Sequence, residues 1–382
     1  MQASRNEVTE IAHCPRARPC AIAGYRWKVA LSFSLTGSAS RVLVLSLAAL
    51  AGLAAPTAQQ AVDTRFPSAL EPHIGSVAKF SAAERRRIHE GGAVTKLLDS
   101  DVTREVAVSG VVWINAPASR YVERFKDIQH HESGEGFHVT RRFSDPPRLE
   151  DFADLHLTAE DVEDLRSCRV SDCELQLSEY AVNLFSKEVD WSTADARASA
   201  DRVMRRWLYD YVTGYIEGGN DRLAVYRDIS TPIPVAGEFK TLVDNSASLA
   251  TYPELKRYLL EYPKATLPGL QTFFYWQEAS FGLKRTIHLS HVAIVERPQE
   301  TVVMSKMLYA THYFWTALDL RVLVPDPARG TGFWFVTASR SRLDGLSGFT
   351  GFFVRRRVRS QVQEGAMKIL MTTKRTLEGT KP

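Results

Sequence analysis

Cysteine is scarce in this 382-residue chain, which has four in all, and only Cys168 and Cys173, in SCRVSDC, fall in its body. With no second pair and no histidine ligands nearby they make a poor zinc site, so they read as a small disulfide loop, with two unrelated reduced thiols as the alternative. Catalytic signatures are missing too. Neither Gly-x-Ser-x-Gly nor His-Glu-x-x-His occurs, and no glycine-rich phosphate loop of the Walker type is present, so no cofactor is expected and no familiar nucleophile or metal hydrolase is indicated. Strong charge is absent as well: a formal net charge of +4 is slight for this length and argues against bulk nucleic-acid binding. There is no internal repeat and no low-complexity tract, and the 17 prolines are scattered. Long apolar runs are equally rare. The one at 42–55, VLVLSLAALAGLAA, falls short of the roughly 20 residues a spanning helix needs.

That run, behind Arg41 and ahead of the small residues of PTAQQA, has the length of a signal-peptide core, so the expectation is an exported chain, periplasmic or secreted, cleaved near residue 58. A buried helix in a cytoplasmic protein is the alternative. Residues 1–40, with Cys14 and Cys20, are long for a leader and fit a start codon placed upstream of the real one. No cysteine follows the run, so a lipid anchor is not expected.

What is present is 45% hydrophobic and 24% charged, the composition of a globular chain. After the leader, 59–103 reads as an N-terminal helical extension in which Ser81 and Glu84 have capping-box spacing. A Val-rich strand at 104–114 then enters a helix through NAPAS. From about 157 to 263 the pattern turns helical. Its longest helix is expected between Ser192 and Gly218, where Val203, Trp207, Leu208, Tyr211, Val212 and Tyr215 make a wide apolar face. From about 271 β-branched and aromatic runs separated by turn signals read as consecutive antiparallel strands. The chain then ends in a long helix with Ser347 where its N-cap is expected. Phe349, Phe352, Phe353, Val358, Val362, Ala366, Ile369, Leu370, Thr373 and Leu377 line one side of it, with Arg355, Arg356, Arg359, Gln363 and Lys374 mostly off that side. That basic side reads as solvated surface, compatible with transient contact with a membrane.

EVAVSGVVWINAPASRYVERFKDI at the front and GFWFVTASRSRLDGLSGFTGFFVRRRVRSQVQEGAMKILMTTKRTLEG at the back together resemble the START-like, helix-grip superfamily of lipid-transfer domains and polyketide cyclase relatives. The resemblance rests on pattern and order over about 104–150 and 270–380, without one decisive motif. It implies an α+β fold in which a curved antiparallel sheet wraps a long C-terminal helix, leaving a cavity for an apolar ligand. The helical stretch at 157–263 departs from that layout. It is expected as an insertion over the cavity mouth, with 192–218 as a lid.

If the meander lines such a cavity, period-two alternation puts Met307, Tyr309, Thr311 and Tyr313 on one side of their strand, and Leu308, Ala310, His312 and Phe314 on the other. The candidate ligand-binding set is Met307, Tyr309, Thr311, Tyr313, His312, Phe333, Phe335, Phe352, Phe353 and Ile369, its occupant a hydrophobic small molecule or lipid. Direct packing of these residues on the last helix, with no cavity, is the alternative. His130, His131, Glu132 and His138 in HHESGEGFH sit among glycines and read as a solvated turn, not a metal site. His288 and His291, three apart on a strand, must point to opposite faces. Two other functions remain open from the sequence: an enzyme of cyclase or hydrolase type using His312 and Tyr309 as acid or base, and a protein-interaction surface on the helical insertion.

Overall fold

The computed structural model describes residues 66–280, 284–344, 346 and 348–379, with side chains from 354 onward in the last of these ranges. The leader with its signal run, Cys14, Cys20 and Ser347 therefore lie outside the described residues. Among the described residues no helix is long and apolar enough to cross a membrane.

The chain enters through a short π-helix, Pro72–Val77, and α1 (Ala82–His89), whose Ser81 and Glu84 close the expected capping box. Within the segment read as a helical extension, Val94–Leu97 forms β1, an edge strand. It pairs with β2 (Glu105–Ile114), which is followed by α2 (Ala118–Lys126), α3 (Ile128–His131) and β3 (Phe137–Arg142). The insertion contributes α4 (Ala159–Ser167), α5 (Glu179–Glu188), α6 (Ala196–Gly218), the short pair β4 (Val225–Tyr226) and β5 (Ile233–Pro234), α7 (Val235–Asp244), α8 (Ala247–Ala250) and α9 (Pro253–Glu261). The meander follows as β6 (Leu270–Ser280), β7 (Arg285–Glu296), β8 (Thr301–Ala310), β9 (Phe314–Pro325) and β10 (Phe333–Leu343), and α10 (Gly348–Glu378) ends it.

The main sheet is antiparallel in the order β1-β2-β10-β9-β8-β7-β6-β3, so the first long strand lies beside the last and α10 returns across it. This is the α+β, helix-grip arrangement, with eight strands and a long C-terminal helix.

Alternation sorts the strands into two faces. On the gripped face Val112, Ile114, Phe273, Tyr275, Val292, Ile294, Val303, Leu323, Phe333 and Phe335 pack with α2 and with Leu370 and Leu377 of α10. The approach of α10 requires Gly110, where a Cβ would stand 2.7 Å from Leu370 Cδ1. On the reverse face Val111, Met304, Leu320, Val322 and Trp334 pack under the N-terminal helices and α7–α9, while Trp276, Leu289, Leu308 and Tyr309 pack under α4–α6. A buried ionic knot fastens this layer: Glu105 accepts from both Arg340 and Arg342, and Arg342 Nε donates to Glu238 of α7 at 2.6 Å.

The insertion is therefore not a lid over the grip. The apolar stripe of α6, Val203, Trp207, Leu208, Val212 and Tyr215, is buried against the reverse face. Lifting it would expose side chains worth roughly 1.5–3 kcal/mol each, a sum comparable with the whole stability of a domain. The helix starts at Ala196, with Ser192 donating instead to the Asp190 carboxylate at 2.6 Å, so the expected cap lies in the turn before it. Cys168 and Cys173 are joined in a disulfide, and their loop is tied to a later part of the insertion through Ser171 N to Arg227 O (2.6 Å) and Cys173 N to Asp228 O (3.0 Å).

Candidate functional site

The two faces of the central strands are covered unequally. On the reverse side Lys306, Leu308, Leu318, Leu320, Ala338 and Arg340 are buried, whereas on the gripped side Met307, Asp319, Arg321, Ser339 and Ser341 are only half-buried. Register places Ser339 beside Asp319 and Asp319 beside Ser305, so these residues form a continuous strip. The helix α10 sits over β1 and β2: Gln363 Nε2 donates to Thr95 O at 3.1 Å, and Lys374 Nζ to Trp113 O at 2.8 Å. On the other side α2 and α3 cover Phe335 and Arg321. A groove thus runs between α10 and the α2–α3 pair, with half-buried polar and apolar residues as its floor. Lys368 of α10 bridges its rim to Glu135, at 2.9 Å.

Next to this floor lies a buried polar network. Gln277 Nε2 donates to Glu132 Oε2 and to Thr140 Oγ1, both at 2.8 Å, which leaves Gln277 Oε1 as the acceptor for His288 Nε2 at 2.9 Å. An amide oxygen only accepts, so the His288 proton sits on Nε2, and Nδ1 is left to accept from Ser290 Oγ at 3.3 Å. Burial lowers the His288 pKa to about 4, which keeps the ring neutral. Burial also raises Glu132, against the pull of Arg321. Arg321 itself lies over the Phe125 ring at 4.9 Å and donates to Ser305 Oγ at 3.2 Å, with Asp319 at 3.9 Å. His131 packs edge-on against Tyr121 and Phe125, and burial first, then Arg321, lowers it to about 3. Such a set offers fixed donors and acceptors beside an apolar surface. Within it Ser290 is buried and its imidazole neighbour is held by the Gln277 amide.

The residues expected to line one cavity are divided by the structure. Met307, Phe333 and Phe335 lie on the gripped face, Phe335 with its ring 4.9 Å from Tyr121. Tyr309 does not join them. In the β7–β8 ladder Leu289 faces Tyr309 and Ser290 faces Met307, so Leu308 is a bulge that reverses the alternation. Tyr309 is consequently buried on the reverse face against Trp207, Tyr211 and Tyr226 of the insertion. Thr311 and His312 also serve that interface: the Thr311 carbonyl accepts from Gln176 N at 2.9 Å, and the two nitrogens of His312 meet Asp161 Oδ1 at 2.9 Å and Glu174 O at 3.2 Å. Tyr313, in a left-handed turn at φ 64°, accepts from Lys284 N at 3.1 Å. Neither His312 nor Tyr309 is thus on the groove. Ile369 is 51% exposed and points away from the sheet, unlike its neighbour Leu370. The side chains of Phe352 and Phe353 lie outside the described residues. His288 and His291 do take opposite faces, the first on Gln277 and the second on Tyr215 at 3.2 Å.

Three features were missed in the sequence. The sequence places His131 and Glu132 in a solvated turn and gives Gln277 no role, although a Gln and two His among apolar alternating residues are a signal of buried polar contacts. Periodicity puts Arg359 off the packed side of α10, yet its Nη1 is buried without a hydrogen-bond partner. Lys306, within VVMSKMLYA, lies fully buried on the reverse face. Among the described residues no group of His, Cys, Asp and Glu is arranged to hold a metal ion. Comparison of the chain with protein-family models, curated proteins and solved structures finds no match.

Proposed function

We propose that this chain is an exported START-like protein that holds a hydrophobic small molecule or lipid in the groove between its sheet and α10, for transport or sequestration. The observation that carries the reading is the asymmetry of the sheet. A face left half-covered at Met307, Asp319, Ser339 and Ser341, opposite one sealed by an entire insertion, is the side prepared for an occupant. Burial of the occupant's apolar surface would drive binding, at about 25 cal/mol per Å² before the costs of association. The Cys168–Cys173 disulfide is compatible with an oxidising compartment, which supports export. The test is native mass spectrometry with organic extraction of the protein purified from its own host. A bound apolar molecule at defined stoichiometry is expected. Replacing Ser339 by Trp, to fill the groove floor, should release it and leave the circular dichroism unchanged. A wild-type protein with a clean apo mass and no affinity for added lipid would overturn the reading.

A further inference from the structure

The arginine run of α10 has no part in the groove reading, and charge is concentrated there. Between Gly348 and Glu378 stand seven basic and two acidic residues, a surplus of five against a net +4 for the whole chain. One side of this helix is taken: Ala366, Leu370 and Leu377 are buried, the last two in the core of the gripped face. The opposite side is open. Arg357, Gln361, Glu364, Lys368 and Arg375, spaced by four, three, four and seven residues, lie along it and are all exposed. Arg355 is turned back to donate to Leu346 O at 2.6 Å, whereas Arg356 and Arg357 are exposed and, with Ser360 and Gln361, line an open hollow. Two guanidinium groups beside a hydroxyl and an amide are donors suited to phosphate oxygens. Ile369, 51% exposed, and Met371, 37% exposed, flank the same line of cations. Lys368, paired with Glu135 at 2.9 Å, joins this side to the rim of the groove.

We infer that the outward side of α10 docks on an anionic lipid bilayer, with Arg356 and Arg357 on lipid phosphates and Ile369 and Met371 resting in the headgroup layer. Charge complementarity selects this partner. Exposed cations mixed with large apolar side chains match a surface that is anionic outside and apolar beneath. A nucleic acid would meet the cations alone, since no aromatic ring for base stacking stands among the described exposed residues of this side. The apolar side of α10 is held by the sheet, so the helix lies on the bilayer and does not sink into it. Docking requires no occupant in the groove. It does bring the rim at Glu135 to the membrane, where an apolar molecule would be collected, and only that consequence rests on the groove reading.

The experiment is flotation of the purified chain with vesicles of phosphatidylcholine, alone or with about a third of phosphatidylglycerol. Binding to the anionic vesicles only is expected, and it should weaken as salt is raised. A basic side chain near such a surface contributes about fivefold to partitioning, so Arg356→Gln with Arg357→Gln should weaken binding roughly 25-fold. Ile369→Ser with Met371→Ser should also weaken it and keep the salt dependence. Arg86→Gln with Arg202→Gln, at exposed positions of α1 and α6, gives the same net charge and should change binding by less than about twofold, because screening confines the attraction to the docked side. Unchanged circular dichroism checks that each variant is folded. Equal binding to both kinds of vesicle, no binding, or equal losses from the two arginine pairs would overturn the inference, as would preference for a single-stranded oligonucleotide over the anionic vesicles. A wild type that docks yet carries no extractable apolar molecule and takes up no added lipid would overturn the groove reading and leave the docking surface standing.

Discussion

Lys306 shows how much a single buried side chain demands of its surroundings. It is fully buried, and no carboxylate among the described residues pairs with it. Desolvation holds its pKa well below the ordinary lysine range and so favours the neutral amine, which donates to Tyr215 Oη at 3.1 Å and to Asn220 Oδ1. Tyr215 in turn donates to His291 Nδ1 at 3.2 Å, and the opposite nitrogen meets Thr272 Oγ1 at 2.7 Å. Burial above all lowers the pKa of that imidazole well below the ordinary histidine range. Asn220 is oriented by donating to the carbonyls of Leu259 and Leu260, and it reaches Lys306 because Gly219, at φ 63°, passes where a Cβ would stand 1.7 Å from Tyr262 O. Two substitutions separate the parts of this cluster. Lys306→Met removes the amine at similar volume and should be neutral or mildly stabilising. Tyr215→Phe should cost about 1–3 kcal/mol, since it leaves Lys306 and His291 in place without their shared partner. Urea unfolding of both variants decides the matter; a costly Lys306→Met would mean that the amine is charged and needed.

At the scale of elements, the strongest dependence is that of α10 on β2. Gly110 leaves room for Leu370, and a Cβ there would also stand 3.1 Å from Thr95 Cγ2. Gly110→Ala should destabilise by about 1–3 kcal/mol through overpacking, and Leu370→Ala by about 2–5 kcal/mol through the space it empties. The double variant should cost less than the sum, with a coupling of about 1 kcal/mol measured by denaturant unfolding; strict additivity would mean that α10 does not rest on this contact. The strands, α10 and the capping box at Ser81 were legible because each is written in local periodicity, at two or at three to four residues. The side of the sheet taken by the insertion was not legible. Its apolar stripe at Val203, Trp207 and Tyr215 says that α6 must be buried and is silent about which face receives it. The bulge at Leu308 carries no turn residue, so the alternation that sets Met307 and Tyr309 on one side of the strand breaks between them. Arg359 escaped for a related reason: one charged residue on an apolar line reads as an edge of the stripe until the packing shows that it points inward.

For the whole molecule, the buried imidazoles set a pH dependence whose sign follows from proton counts. His73 and His288 are lowered to about 4 and His131 to about 3, in each case chiefly by burial. Unfolded, they titrate near 6.5. Below that pH the unfolded chain binds protons that the folded one refuses, so stability falls as pH drops from about 6.5 and continues to fall until the folded values near 4 and 3 are passed. Asp228 and Asp344 act in the opposite sense. Burial raises both to about 6, so between 6 and the unfolded value near 3.9 the folded state takes up protons first and gains stability on acidification. Three imidazoles lowered from 6.5 to about 4, 4 and 3 outweigh two carboxylates raised from 3.8 to about 6, and His291, lowered in the same direction, adds to them. The net expectation is a midpoint of denaturation that declines between pH 6.5 and 4. His131 offers the cleanest check, because its Nδ1 is buried without a partner and its ring packs on Tyr121 and Phe125. His131→Leu should keep or raise stability at pH 7 and lessen the acid decline by roughly 3 kcal/mol at most. An unchanged acid limb in that variant would mean that His131 is hydrated in the folded protein, and the loop after α3 would then have to be more open to water than its packing on α2 implies.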